Sequence, residues 1–359
     1  MRRMLVTGGA GFIGSNFIRF WVGRHPQDRI TNLDKLTYAG NVENVKEVES
    51  HPSYQFVQGD MCDAALVREL FHAEKIDTVV HFAAETHVDR SILGPEEFIR
   101  TNVHGTFTLL EAARDYWLAE SSRATEARRF LHVSTDEVYG SLGPEEPPFR
   151  ETTPYAPNSP YAASKAAADH LVRAYHHTYG LPAIITNCSN NYGRYQFPEK
   201  LIPLTIQQAI KKEPIPLYGD GGNVRDWVYV EDHCAALEAV LERGTTGGTY
   251  NIGGGSQWRN IDLVNLICDL LDEKLGSRSS PRRSLVTLVQ DRPGHDRRYA
   301  MDISKISQQL GWRPRESLET GIAKTIDWYL SHQDWVERVM TGEYRKYFAS
   351  QYGSRLGTK

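Results

Sequence analysis

The chain has 359 residues, of which 40% are hydrophobic and 24% are charged. This composition excludes an intrinsically disordered protein, which would have far fewer apolar residues. The length exceeds what one hydrophobic core normally serves, so a large domain and a smaller one are expected. The 41 Lys and Arg residues against 45 Asp and Glu residues give a net charge of -4, which argues against nucleic acid or an acidic membrane surface as a partner.

The four cysteines, Cys62, Cys188, Cys234 and Cys268, are far apart and form no Cys-x-x-Cys pair. No histidine pair at metal spacing accompanies them, so reduced thiols are expected, with no disulfide and no metal site. The N-terminus leads directly into a strand, without the apolar region of a signal peptide. No run approaches the roughly 18 apolar residues of a membrane span. These features predict a soluble, cytoplasmic protein without a membrane partner.

Short apolar runs alternate with segments of helical periodicity through the first half of the chain. Such alternation is typical of a parallel sheet with helices on both faces. In chain order the predicted elements are a strand at 3–7, a helix at 12–23, strands at 30–34 and 54–57, a helix at 64–73, a strand at 78–83, a helix at 106–116, a strand at 130–134, a helix at 160–179 and a strand at 183–186.

The pattern changes after Asn191, where prolines and glycines separate shorter elements. Only one strand stands out in this half of the chain, bracketed by glycines. The predicted elements are a helix at 202–211, the strand at 249–252, a helix at 262–275 and an aromatic helical tail from Ser317 onward.

The segment Thr7–Gly14 joins the first strand to the first helix and has three glycines at the spacing of a dinucleotide-binding turn. Gly8 permits the tight turn, Gly11 lets the backbone approach a pyrophosphate, and Gly14 lets the helix pack against the sheet. The pyrophosphate would lie at the helix N-terminus, where free amides favour anions. Asp34 ends the second strand about 20 residues later and can accept both ribose hydroxyls. NAD is therefore favoured over NADP, although Lys35 weakens that preference.

This motif predicts an α/β fold whose main part is a Rossmann-type doubly wound parallel sheet. Residues 1–191 are expected to form this NAD-binding domain, with a segment of about residues 222–250 returning to it. Residues 192–221 and 251–359 are expected to form a smaller α/β domain that binds the substrate.

Tyr161 and Lys165 are four residues apart on a predicted helix and therefore share one face. Alone, such a pair usually marks a solvated helix surface. After a dinucleotide-binding motif, it is similar to the Tyr-x-x-x-Lys pair of the short-chain dehydrogenases/reductases. The Lys165 ammonium is expected to lower the pKa of Tyr161, which would make the phenol a base for a sugar hydroxyl.

The segment Ser134–Gly140 follows a strand at the sheet edge where open α/β folds bind ligands. An isolated Asp-Glu pair is usually a solvated loop. Here Asp136 and Glu137 are adjacent at a strand end, so mutual repulsion should raise the pKa of one of them. A protonated Asp136 beside an ionised Glu137 would supply an acid and a base in one site.

The whole chain resembles the dTDP-glucose 4,6-dehydratases, a family in the extended, nucleotide-sugar branch of the short-chain dehydrogenases/reductases. Thr135-Asp136-Glu137 is the most specific part, because epimerases of this branch are expected to lack both carboxylates. The segments that carry the resemblance are Thr7–Gly14, Phe82–Ser91, Ser134–Gly140, Tyr161–Lys165, Asn190–Gly193, Phe197–Leu201, Arg225–Trp227 and Asp291–Tyr299.

The resemblance implies a catalytic set that removes water from dTDP-glucose and leaves a 4-keto-6-deoxy sugar. Tyr161 would take the proton of the 4-hydroxyl while the C4 hydride passes to NAD, with Lys165 and Thr135 holding that hydroxyl. Glu137 would remove the C5 proton while Asp136 protonates the departing 6-hydroxyl. The hydride would then return to C6.

The resemblance also implies two sets of binding residues. Beside the three glycines, the cofactor set is Phe12, Ile13, Asp34, Lys35, Leu36, Thr37, Asp60, Met61, Ala83, Ala84, Thr101, Tyr161, Lys165 and Asn191. The sugar-nucleotide set is Thr86, Thr135, Asp136, Glu137, Asn190, Lys200, Leu201, Pro216, Tyr218, Arg225, Asn260, Arg292, His295 and Tyr344. Two members, Arg225 and Arg292, suit a diphosphate because guanidinium groups match its oxygens.

The chain departs from the family pattern at Arg194 and Gln196, where Pro and His are common. Three other functions stay open: a UDP-glucose 4,6-dehydratase, a nucleotide-sugar 4-epimerase, and an NAD-binding sensor without catalysis. The chain retains Asp136, Glu137, Tyr161 and Lys165. An epimerase would have no use for the two carboxylates, and a sensor without catalysis need not keep all four groups. The resemblance further implies a homodimer in contact through the helices at 106–116 and 161–179.

Overall fold

The computed structural model describes residues 1–119, 128–276 and 280–340. Strands and helices alternate through the first part, as predicted. Within these ranges the strands are β1 (Arg3–Thr7), β2 (Arg29–Asp34), β3 (Tyr54–Gln58), β4 (Thr78–His81), β5 (Arg129–Thr135), β6 (Ala183–Cys188), β7 (Asn190–Tyr192), β8 (Ile215–Tyr218), β9 (Val224–Tyr229), β10 (Thr249–Ile252), β11 (Gln257–Arg259) and β12 (Val286–Val289).

The helices flank these strands, and four of them begin at the predicted residues 12, 64, 106 and 160. The α-helices of the described ranges are α1 (Phe12–Arg24), α2 (Ala64–Ala73), α3 (Val88–Leu93), α4 (Pro95–Phe98), α5 (Thr106–Ala119), α6 (Pro160–Tyr179), α7 (Leu201–Lys211), α8 (Val230–Arg243), α9 (Asn260–Leu275), α10 (Ser304–Leu310), α11 (Leu318–Ser331) and α12 (Gln333–Val339). A π-helical stretch, Ile99–Gly105, leads into α5, and short 3-10 turns cover Val42–Val48, Asp136–Tyr139 and Arg282–Leu285.

Seven strands form one sheet in the order β10-β6-β5-β4-β1-β2-β3, with every neighbouring pair parallel. The chain starts at β1, adds β2 and β3 on one side, and then adds β4, β5 and β6 on the other. The strand order therefore reverses between β1 and β4. In open α/β sheets a crevice forms at such a point, outside the carboxyl ends of the strands. The Rossmann-type, doubly wound sheet predicted from the sequence is confirmed.

Apolar side chains cover both faces of this sheet. One cluster contains Phe17 and Trp21 of α1 with Leu237 of α8, and the other contains Phe71 of α2 with Leu110 of α5. Because both faces are buried, the strands read as continuous apolar runs in the sequence. The result is a layer of helices on each side of the sheet.

A second group of elements carries its own apolar core. β7, β9 and β11 form a three-stranded sheet, and β8 pairs with β12. Helices α7, α9, α11 and α12 supply this core with residues such as Ile206, Leu263, Ile322 and Trp335. The chain passes between the two cores more than once. β10 returns to the large sheet, and Trp312 packs in the same cluster as Phe17.

Three further observations concern the whole described chain. The predicted strand at 78–83 ends at His81, because Phe82 and Ala83 leave the sheet to line a cavity. All four cysteines are free. No helix in the described ranges is both long enough and apolar enough to cross a membrane.

Candidate active site

A cavity of about 310 Å³ opens at the carboxyl ends of β1, β2, β4 and β5. It brings together most residues predicted from the sequence, although their segments are far apart in the chain. The predicted residues that line it are Gly8, Gly11, Phe12, Ile13, Gly14, Asp34, Lys35, Thr37, Asp60, Met61, Ala83, Ala84, Thr86, Thr101, Thr135, Asp136, Glu137, Tyr161, Lys165, Asn190, Asn191 and Lys200.

Several predicted residues do not line this cavity. Tyr344 lies outside the described residues. Leu36 lies beside the wall, where its amide donates to Asp34. The others belong to the second group of elements or to the loop after β12, namely Leu201, Pro216, Tyr218, Arg225, Asn260, Arg292 and His295.

The glycine turn between β1 and α1 is tightly packed. Gly8 has a φ of 72°, and a Cβ on it would lie 2.6 Å from the Ala83 nitrogen. A Cβ on Gly14 would lie 2.8 Å from the Gly9 Cα and would also collide with the Gly8 carbonyl. α1 begins at Phe12, so its free amides face the cavity. This cradle, which side chains would fill, fits a dinucleotide pyrophosphate.

Asp34 ends β2 at the wall of the cavity. Its carboxylate accepts hydrogen bonds from the amides of Ala10 and Leu36, each at 2.9 Å. Burial raises its pKa, and these two amides oppose that rise. Each oxygen retains a lone pair for a ribose hydroxyl. The Lys35 ammonium, 3.0 Å from Asp60, is directed to that carboxylate. The acidic side chain at position 34 thus fits NAD. Lys35 does not offset this preference for NAD over NADP.

Tyr161 and Lys165 lie on the face of α6 that packs against β5. The Ser159 hydroxyl caps α6 by accepting from the Ala162 amide at 3.1 Å, and Pro160 fits the first turn. Both side chains are buried, and the Lys165 ammonium donates to the Val133 carbonyl at 2.9 Å. Helix start and register therefore fix both groups at the cavity.

The predicted lowering of the Tyr161 pKa is wrong for this structure. Burial and the negative charge of Glu137 raise the pKa of Tyr161 well above its ordinary value. A hydrogen bond with Thr135 opposes the rise. The prediction considered the neighbouring ammonium and the cationic nicotinamide of bound NAD but not burial, and desolvation of a phenolate in a closed site is the largest effect here.

Asp136 and Glu137 follow β5 in a 3-10 turn. The Thr135 hydroxyl donates to Asp136 Oδ1 and accepts from the Glu137 amide, both at 3.3 Å. Burial and the charge of Glu137 raise the pKa of Asp136 well above its ordinary value, as predicted for one of the pair. Burial also raises the pKa of Glu137, but the positive charges of Arg292, Arg225 and Lys200 oppose it. The two carboxyls are thus biased toward an acid and a base.

The cations that act on Glu137 come from distant segments. Arg225 donates to the Asp296 carbonyl at 2.8 Å and lies 4.2 Å from the centre of the Tyr299 ring. Arg292 lies 3.6 Å from Asp89, and Lys200 donates to the Thr86 carbonyl at 3.3 Å. The two arginines predicted for a diphosphate therefore also influence the pKa of Glu137.

Thirteen cavity residues were missing from the predicted site, and three of them, Gln196, Phe197 and Glu199, lie together in the chain. The Gln196 side chain donates to the Asn191 carbonyl at 2.9 Å. The Glu199 carboxylate lies 3.6 Å from Arg90 and 3.8 Å from His87. Gln196, Phe197 and Glu199 directly precede Lys200, which was predicted, and this closeness in the sequence could have identified them.

Comparison with known proteins agrees with this geometry. Residues 5–325 match the family described as GDP-mannose 4,6 dehydratase. A dTDP-glucose 4,6-dehydratase of Xanthomonas campestris is 58% identical over 346 residues, which cover 96% of this chain and 98% of that protein. A dTDP-glucose 4,6-dehydratase of Escherichia coli is 54% identical over 361 residues, with 98% and 99% covered.

Solved structures give the same picture. The dTDP-glucose 4,6-dehydratase DesIV of Streptomyces venezuelae, crystallised with NAD, has a TM-score of 0.85 and 47% identity, covering 94% of this chain and 100% of that one. A UDP-glucose 4-epimerase of Thermotoga maritima has a lower identity of 28% and a TM-score of 0.80, covering 92% and 99%.

Fold and site together define an NAD-dependent enzyme of the nucleotide-sugar branch of the short-chain dehydrogenases/reductases. Both carboxyls of the Thr135-Asp136-Glu137 triplet are in place at the cavity. The chain belongs to the dTDP-glucose 4,6-dehydratase family, whose members are hydro-lyases.

Proposed function

We propose that this chain converts dTDP-glucose to dTDP-4-keto-6-deoxyglucose with the loss of one water. The observation that carries the proposal is the juxtaposition of Asp136, Glu137 and Tyr161 around one cavity that also contains a dinucleotide cradle. An epimerase needs only the phenol and the cofactor. Two further carboxyls with raised pKa values fit an elimination, which needs both a base and an acid.

The residues divide the proton transfers among them. Tyr161 takes the proton of the 4-hydroxyl. Thr135 and, on the next turn of α6, Lys165 hold that hydroxyl. Glu137 removes the proton at C5, which the adjacent 4-ketone makes acidic. Asp136, whose pKa is raised by burial and by the charge of Glu137, gives its proton to the departing 6-hydroxyl. NAD, when bound, supplies reversible hydride acceptance at this site, and the protein supplies position and charge.

Mass spectrometry of dTDP-glucose incubated with the purified protein in heavy water tests this function. We expect the loss of one water and the appearance of a single deuterium at C5. A parallel incubation with UDP-glucose should give much slower conversion. An unchanged mass with an inverted C4 would contradict the proposal, because an epimerase leaves the two carboxyls without a role.

We also propose that the chain forms a homodimer through α5 and α6. Two large apolar side chains of α5 are exposed, Phe107 at 41% and Leu118 at 38%. On α6, Ala163 is exposed and Ala167 is half-buried, and such small residues would allow close approach of a second helix. Light scattering after gel filtration should give twice the monomer mass, and Phe107→Asp should shift the protein toward monomer.

The domain division and the compartment are further proposals. Two separate apolar cores support an NAD-binding domain built on residues 1–191 with returning segments that include α8 and β10. The residues of the second core then form the sugar-nucleotide domain. Four free cysteines suit the reducing conditions of the cytoplasm, and fractionation of cells should recover the enzyme there.

A further inference from the structure

The buried face of α6 that carries Tyr161 and Lys165 continues for one more turn to Asp169. The three residues are spaced four apart, so they form one column along the helix. Asp169 is 1% exposed, and Lys165 is 4% exposed. A carboxylate in such a place is rare unless it is paired or hydrogen-bonded.

Polar and charged neighbours of Asp169 partly offset the cost of burying its charge. The Ser134 hydroxyl donates to Asp169 Oδ2 at 2.8 Å, and a hydrogen bond with the Tyr155 phenol further lowers the carboxyl pKa. The His132 Nε2 lies 3.1 Å from Asp169 Oδ1. Burial raises the pKa of Asp169 to about 6, and the positive charge of Lys165 is the largest influence that opposes the rise. Asp169 is therefore an anion at neutral pH.

The groups that face Lys165 from other elements are neutral. Burial and the charge of Lys165 keep the pKa of His132 on β5, and that of His81 on β4, well below the ordinary value. Burial raises the pKa of the Cys188 thiol on β6 to about 12. On its own helix, burial and the negative charge of Glu137 raise the pKa of Tyr161. Asp169 thus supplies the anion for Lys165.

We propose that Asp169 is a positioning residue for the reaction: one helical turn beyond Lys165, it is the buried counter-ion that keeps the Lys165 ammonium charged near Tyr161. The proposal rests on the proposed function, because it assumes that Lys165 takes part in the chemistry. Burial alone would favour a neutral lysine, and the charge of Asp169 is the largest influence that opposes this. A neutral Lys165 could no longer stabilise a phenolate at Tyr161.

Asp169→Asn tests the charge with little change of shape. The amide oxygen can still accept from Ser134, but the counter-charge is gone. We expect the alkaline limb of kcat/KM for dTDP-glucose to move to lower pH by about one to two units, since a nearby opposite charge shifts the pKa of a buried group by about that amount. Asp169→Glu, which restores the charge, should return the limb toward its wild-type position.

Tyr155→Phe is the matched control, because it removes a hydrogen bond from Asp169 but leaves the carboxylate. Its alkaline limb should coincide with that of the wild type. A shift of equal size in Tyr155→Phe and Asp169→Asn would overturn the proposal, since packing rather than charge would then be the cause. An unshifted limb in Asp169→Asn would overturn it as well.

Thermal unfolding gives a readout that does not depend on activity. The Tm of Asp169→Asn should rise relative to that of the wild type as the pH increases from neutral toward the ordinary lysine pKa, because a neutral Lys165 needs no counter-ion. A Tm difference independent of pH over this range would refute the charge role. If Asp169→Asn does not fold, Asp169→Ser, which also lacks the charge, is measured in its place. Absence of dTDP-glucose turnover in the wild type, with this pH dependence present, would reject the proposed function alone.

Discussion

Gly14→Ala is the sharpest test of the dinucleotide cradle. The added methyl group would lie 2.8 Å from the Gly9 Cα and would collide with the Gly8 carbonyl oxygen. Both obstacles are backbone, so no side-chain rotation relieves them. The turn must move by about 0.5–1 Å to reach an ordinary contact distance. Overpacking of this kind costs about 1–3 kcal/mol of unfolding free energy.

The same displacement should weaken NAD binding. If one charge-assisted hydrogen bond to the pyrophosphate is lost, binding weakens by about 1.5–3 kcal/mol, which is roughly a 10- to 150-fold rise in Kd. The assay is the NAD content of the purified protein, followed by titration with NAD and a thermal unfolding scan. Added NAD should raise the Tm of the variant less than that of the wild type at equal concentration.

Gly23→Ala is the matched control on the same helix. Gly23 lies near the end of α1, and a Cβ there would have no atom within 4 Å. Alanine should stabilise that helix by about 0.5–1 kcal/mol, because glycine has the lower helix propensity. Its NAD affinity should equal that of the wild type. Wild-type NAD affinity in Gly14→Ala would refute the reasoning, since the close packing of the turn would then be irrelevant to the cofactor.

Three further predictions concern the carboxyls. Asp136→Asn should lower kcat by about 10²–10⁴-fold but still exchange the C5 proton with heavy water, whereas Glu137→Gln should abolish that exchange; deuterium analysis of recovered sugar separates the two. Asp34→Asn should bring the Kd values for NAD and NADP closer together by roughly tenfold, because the repulsion of a 2′-phosphate is lost; fluorescence titration with both cofactors measures this. In Arg292→Met the pKa of Glu137 should rise, so the acid limb of kcat/KM should move to higher pH; an unmoved limb would show that Arg292 does not act on this base.

The first half of the fold could be predicted because each of its elements is visible locally. β1, β4, β5 and β6 are apolar runs, and Ser159-Pro160 marks the start of α6. The small sheets could not be predicted in this way. β8 contains Pro216 and pairs with β12, about 70 residues later, and β7 has only three residues. Short strands that depend on distant partners carry little periodicity of their own.

Some missed elements did have a local signal. α8 begins at Val230, with Glu231 and Asp232 in its first turn, where acidic residues favour a helix N-terminus. β9 ends directly before α8 begins, so the boundary between them coincides with the change from strand to helical periodicity. The absence of a Gly or Pro at that boundary explains why the sequence pattern alone did not reveal it.

The active site, like the fold, has one part that could be predicted from the sequence and one part that could not. Residues at strand ends were predictable because a contiguous motif carries them, as Thr135, Asp136 and Glu137 show. The electrostatics were not, because they depend on burial and on segments that meet only in the fold. Tyr161 has a raised pKa instead of a lowered one for that reason.

The difference between Asp136 and Glu137 depends on the second half of the chain. Asp136 is buried and Glu137 is half-buried, and both follow β5. Arg292, Arg225 and Lys200 are the leading influences that oppose the raised pKa of Glu137, whereas Arg225 is the leading one at Asp136. The segments that are proposed to bind the sugar nucleotide therefore also select which carboxyl is the base. Catalytic asymmetry and substrate binding are thus supplied by the same cations.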